Sequence, residues 1–167
     1  MSAAGTNDLK VPKHKVAVEV VLPGGAIRRM AFFLAEAAPH HHGPERPLDL
    51  LNGDDDFLPA LDEEAQAMTF LNRKGASLVR VNRSHDAGDD AATLPTEVEV
   101  EVRLGDSTVQ RGLVSLVRPP DHSRLVDVLN EPPPFFRLLQ GDRVAYVNKR
   151  HAVLVALAAG GWPGAGS

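Results

Sequence analysis

Val98, Val100, Val102 and Leu104 alternate strictly with Glu99, Glu101 and Arg103. A period of two places the apolar residues on one face of a sheet and the charges on the other, so this stretch predicts a half-buried strand. Gly105-Asp106-Ser107 supplies a turn, and the β-rich run from Thr108 to Val117 completes a predicted hairpin. Phe135 to Leu139, Arg143 to Asn148 and Ala152 to Leu157 are short apolar runs bounded by turn residues, which makes five strands. Between the second and third, Asp127-Val128-Leu129-Asn130 predicts a tight turn or one helical turn, with Asp or Asn capping local backbone groups.

The same pattern occurs earlier in the chain. Val16-Ala17-Val18-Glu19-Val20-Val21-Leu22 aligns with Val98 to Leu104, and the ungapped match runs on through Arg29 over Arg111. Arg46-Pro47-Leu48-Asp49-Leu50-Leu51-Asn52 aligns with Arg124-Leu125-Val126-Asp127-Val128-Leu129-Asn130, and Phe57 falls above Phe135. Phe70 to Val79 aligns with Tyr146 to Val155. Three blocks in the same order predict an internal duplication, the signature of a repeat architecture. Pro23-Gly24-Gly25 takes the place of the second copy's turn, and two small insertions fall in the first copy, near His40-His41-His42 and near Asp62-Glu63-Glu64. The expected organisation is a tail over 1–12, a first repeat over 13–83, an acidic aperiodic linker over 84–95, a second repeat over 96–158 and a tail over 159–167.

Five short strands in so few residues predict a small barrel, because closure removes exposed sheet edges. The fold class expected is therefore mainly all-β: two tandem five-stranded small barrels with short helical turns. Each repeat is near the lower size limit for an independent core, so the two should share an interface. Arg111-Gly112-Leu113 in the second strand, an Asp/Asn pair, Lys74-Gly75-Ala76-Ser77-Leu78-Val79, and Tyr146 with Lys149-Arg150-His151-Ala152-Val153 carry a resemblance. Each repeat resembles an Sm-like barrel of the Sm/LSm/Hfq type, in a bacterial variant. The sequence departs from that pattern in the long connection between Gly112 and Asp127 and in carrying two units in tandem. The resemblance implies an RNA contact at Lys149, Arg150 and His151 with Tyr146 as the stacking aromatic; the first repeat breaks this pattern at Lys74-Gly75.

Composition narrows the function classes. The 167 residues hold no cysteine, which removes disulfides, thiol nucleophiles and thiolate metal sites. A net charge of -4 and 5% aromatic residues disfavour a protein that coats nucleic acid, where basic grooves and several stacking rings are the rule. With no apolar run of the roughly 18 residues that a membrane span needs and no signal-like start, a cytoplasmic protein is expected.

The polar residues present in both repeats are Arg46, Asp49, Asn52 and Asn72 with Arg124, Asp127, Asn130 and Asn148. They are read as turn caps and Arg–Asp pairs, with a symmetric ligand site as the alternative. His40-His41-His42 and Asp54-Asp55-Asp56 are adjacent loop residues that cannot easily converge on one ion, so no metal is assigned. No catalytic set and no cofactor is assigned, since neither a nucleophile elbow nor a phosphate-binding glycine loop follows a strand. Pro132-Pro133-Pro134 is stiff and extended and delivers Phe135 and Phe136 at low entropic cost. Phe136 and Trp162 are candidate exposed partner anchors. The function expected is a non-catalytic protein-interaction or regulatory module, binding another protein or itself along free barrel edges or the groove between the repeats. An RNA-binding protein and a small-molecule sensor with a pocket in each repeat are the alternatives.

Overall fold

The computed structural model describes residues 13–37, 43–86, 96–116 and 124–158. Ten strands form one antiparallel sheet: β1 (Lys13–Val21), β2 (Ile27–Ala35), β3 (Phe57–Asp62), β4 (Ala67–Asn72), β5 (Leu78–Asn82), β6 (Thr96–Leu104), β7 (Val109–Leu116), β8 (Phe135–Gln140), β9 (Arg143–Asn148) and β10 (Ala152–Leu157). Two single-turn helices, α1 (Pro47–Leu51) and α2 (Leu125–Leu129), stand between the second and third strands of each half. The class is mainly β, as the alternation predicts. Among the described residues no helix is long and apolar enough to cross a membrane.

The spatial order is β10-β6-β7-β8-β9-β5-β1-β2-β3-β4. The first half reads β5-β1-β2-β3-β4 and the second reads β10-β6-β7-β8-β9, the same order in each. The registers agree as well. Val18 faces Met30 and Val100 faces Gly112; Val20 faces Val79 and Val102 faces Val155; Phe57 faces Asn72 and Phe135 faces Asn148. The sheet is not closed. β5 pairs with β9 and joins the halves edge to edge, which leaves β4 and β10 as its two ends.

Local sequence accounts for the turns. Gly24 and Gly25, between β1 and β2, have φ of +97° and +93°, which only glycine adopts without strain. Gly112 lies where β7 passes close to β8: a Cβ there would sit 2.5 Å from the Leu139 carbonyl oxygen and 2.8 Å from Leu138 Cγ. α1 opens on Pro47, and the Asp49 carboxylate accepts the Arg46 amide at 2.8 Å.

Two apolar cores result. The first gathers Val16, Val18, Val20, Phe32 and Leu34 with Phe135, Leu139, Val144 and Tyr146 from the second half. The second gathers Val100, Val102, Leu104, Phe136, Leu138, Ala145 and Val147 with Val21 and Leu78 from the first half. β8 and β9 thus send alternate side chains into both cores, which explains why their sequences are near-continuous apolar runs.

The linker expected over 84–95 begins later than expected. Arg83–His85 form a 3₁₀ turn, and Asp86 is buried and ion-paired with Arg137. A buried carboxylate needs a charged partner, and Arg137 on β8 supplies it. The remainder of that linker, like both tails, lies outside the described residues.

Candidate functional site

The β5·β9 junction concentrates the polar chemistry. Asn52, which ends α1, reaches across it: its Oδ1 accepts the Phe135 amide at 2.9 Å and its Nδ2 donates to the Phe135 carbonyl at 3.4 Å. Asn148, at the end of β9, is buried; its Nδ2 donates back to the Ala76 carbonyl at 2.9 Å, while its Oδ1 caps the Arg150 amide at 3.0 Å. His151 Nε2 lies 2.8 Å from the Lys74 carbonyl oxygen. Asn52 and Asn148 therefore bond the halves together.

A second cluster lies along the same seam. Glu19 on β1 pairs with Arg80 on β5 at 3.4 Å and with Arg143 on β9 at 2.8 Å. Arg80 also donates to Gln140 at 3.0 Å and to Gln110 at 2.9 Å. Burial pushes the Glu19 carboxyl up, but the two guanidinium groups more than offset it and hold it below its ordinary value. Tyr146 donates its hydroxyl to Asp86 at 2.7 Å, beside the Asp86–Arg137 ion pair. Burial above all, then the neighbouring Asp86 carboxylate, raises its phenol far beyond the usual range.

The positions singled out from the sequence separate into three groups. Arg46 and Asp49 pair at 3.6 Å around the start of α1. Arg124, Asp127 and Asn130 occupy the equivalent turn at α2; Arg124, Asp127 and Asn130 are exposed, and among the described residues the Asn130 side chain has no partner. Asn72 caps the Lys74 amide at 3.0 Å and is exposed.

Two expectations are corrected. Tyr146 offers no ring face to a base, because it is enclosed in the first core with its hydroxyl committed to Asp86. Around it, Lys149 Nζ donates to the Val128 and Glu131 carbonyls at 3.1 and 2.8 Å, and its burial lowers the ammonium's pKa; Arg150 is exposed. Phe136 is not an exposed anchor either: β8 is covered on both faces, so Phe135 enters one core and Phe136 the other. Trp162 and His40-His41-His42 lie outside the described residues. Asp56 is engaged by Arg73 at 3.5 Å and Lys74 at 3.4 Å.

The exposed rings are Phe57 and Phe70, whose aligned partners Phe135 and Tyr146 are buried. Phe57, Met68 and Phe70 stand exposed on β3 and β4, and Val153, Leu154 and Leu157 on β10. β10 carried the available signal: Ala152 to Leu157 is an unbroken apolar run, the composition of a strand covered on both faces. A cleft of about 200 Å³ lies between the halves, lined by Leu48, Asn52, Val114, Val128, Phe135 and Lys149. Its walls come from both halves rather than from within one.

Compared with protein-family models, curated proteins and solved structures, the chain matches none.

Proposed function

We propose that this chain is a non-catalytic protein-interaction module made of two duplicated five-stranded units of the Sm-like kind, binding protein through the two ends of its sheet. The carrying observation is that both ends, β4 and β10, combine a strand edge that is unpaired among the described residues with large exposed apolar side chains. An edge strand offers a row of unsatisfied N–H and C=O groups, and soluble proteins ordinarily blunt such edges with charge, proline or a covering loop. Phe70 and Leu154 do the opposite. Strand addition satisfies the backbone while pockets for alternate side chains supply specificity.

The test is a binding comparison on the full chain. The wild type, Phe70→Lys and Leu154→Lys are immobilised and presented with cell extract and with a differently tagged copy of the chain. Protein retained by the wild type and lost from one or other edge variant is the expected result; retention indifferent to both substitutions overturns the reading. A uridine-rich oligonucleotide held at moderate salt, and released by Arg150→Glu with His151→Ala, would favour RNA instead.

A further inference from the structure

We infer that the cleft between the halves binds a small aromatic carboxylate, its charge met by Lys149 and its ring taken up beside Val114 and Ser115. The walls come from both halves, so the site belongs to the whole chain rather than to either repeat. None of the lining residues lies on β4 or β10, so occupancy of the cleft and binding at the ends of the sheet are separate properties.

The first half shows which charge the second lacks. Arg73 aligns with Lys149, and each cation holds the carbonyls at the end of its helical turn. Arg73 donates to the Leu51 carbonyl at 2.9 Å and to that of Gly53; Lys149 donates to those of Val128 and Glu131 at 3.1 and 2.8 Å. Arg73 is also ion-paired with Asp56 at 3.5 Å. Pro134 takes the place of Asp56 in the second half, so no carboxylate reaches Lys149 from that position. An ammonium has three N–H donors, and the two carbonyls use two of them.

The same comparison shows which volume is missing. Val16 faces Phe32 as Val98 faces Val114, so Phe32 corresponds to Val114 and Phe33 to Ser115. Two phenyl rings of the first half give way to an isopropyl and a hydroxymethyl group, and both of these residues line the cleft. The Ser115 hydroxyl oxygen is buried, and among the described residues it has no hydrogen-bond partner. A buried hydroxyl without a partner is costly and uncommon, and one beside a cleft is a group that a ligand can satisfy.

Charge and shape together select the ligand. Leu48, Val128, Phe135 and Phe136 supply apolar walls that suit a ring. At about 200 Å³ the cleft exceeds the roughly 150 Å³ cavities that hold benzene, which leaves room for a short acidic arm. Asn52 and Arg137 also line it but are engaged by the Phe135 backbone and by Asp86. Glu131 lines it too, and its charge favours the Lys149 ammonium; burial is the larger influence and keeps the ammonium's pKa below its ordinary value. A carboxylate in the cleft supplies Lys149 with the ion pair that Asp56 gives Arg73, and the Ser115 hydroxyl with an acceptor.

The experiment titrates the full chain with phenylacetate, using calorimetry and amide NMR, with phenylacetamide and phenethylamine as the neutral and cationic counterparts. Phenylacetate should saturate one site per chain with a Kd of about 1 mM or tighter, a level open to a ligand of this size. The amides of Val114, Ser115, Val128 and Lys149 should shift, and both counterparts should bind at least about tenfold more weakly. Two substitutions put back what the first half has: Ser115→Phe restores a ring and Pro134→Asp a carboxylate. Each should weaken phenylacetate by at least about tenfold while keeping the wild-type circular dichroism. If Ser115→Phe does not fold, Pro134→Asp, at a partly exposed position, decides the matter. Absence of saturation by about 10 mM overturns the inference, as do equal affinities for the three probes, shifts confined to β4 or β10, or affinity unchanged in the folded variants.

Discussion

Asn148 and Asn72 hold the same place, at the end of a strand and the start of a tight turn, and each caps the amide two residues on at 3.0 Å. Only Asn148 is buried, and only it spends its amide nitrogen on carbonyls of the other half. Deleting a buried donor strands those acceptors, at about 1–3 kcal/mol, whereas an exposed cap is worth about 1 kcal/mol. Asn148→Ala should therefore lower the melting temperature by several times as much as Asn72→Ala when both are measured in a chain carrying Leu154→Lys, which keeps the β10 end blocked. Equal losses would show that the cap is all that either residue provides. The sequence marked both asparagines by their recurrence but could not tell their burial apart, since that depends on which strand lies alongside.

At the scale of elements, close approach and charge decide what the strands tolerate. β7 needs Gly112 because β8 lies against it, and an added methyl would meet backbone, which cannot swing aside. Gly112→Ala should destabilise by about 1–3 kcal/mol, the usual cost of overpacking, visible as a lower denaturation midpoint. A midpoint unchanged or raised would mean that β7 and β8 are further apart than described. Across β1, β5 and β9, Glu19 is held below its ordinary value by Arg143 and Arg80. A depressed carboxyl contributes stability above its unfolded pKa of about 4.3 and loses it as pH falls through the lower folded value. Glu19→Gln should thus melt below the wild type at neutral pH, and the gap should close below about pH 4. A gap independent of pH would assign the loss to shape rather than charge.

For the whole molecule, the proposed binding at β4 and β10 has a thermodynamic consequence. Binding that involves only the folded state stabilises it by mass action, so the melting temperature should rise when protein captured through these ends is added in excess. In Phe70→Lys or Leu154→Lys it should not. A wild-type melting temperature unmoved by the captured protein would count against binding at the ends. The sheet order also explains why the chain is one body and not two modules on a string: β8 and β9 are covered on both faces only because each half supplies one of the coverings.

What the sequence by itself determined is local. The alternation Val98 to Leu104, the glycine turns, the helical turns at Asp49 and Asp127, and the bounds of Arg143 to Asn148 and Ala152 to Leu157 follow from periodicity and turn chemistry, which need only near neighbours. The recurrence of the pattern was equally plain. Tertiary structure alone decided which copy of each strand is central and which is an edge. Tyr146 and Phe70, or Leu78 and Leu154, are similar residues in similar strands, and their opposite exposure comes from β9 lying beside β5 while, among the described residues, β4 and β10 have no strand on their outer side. Burial is a property of neighbours, and among the described residues no strand lies beyond either end of this sheet.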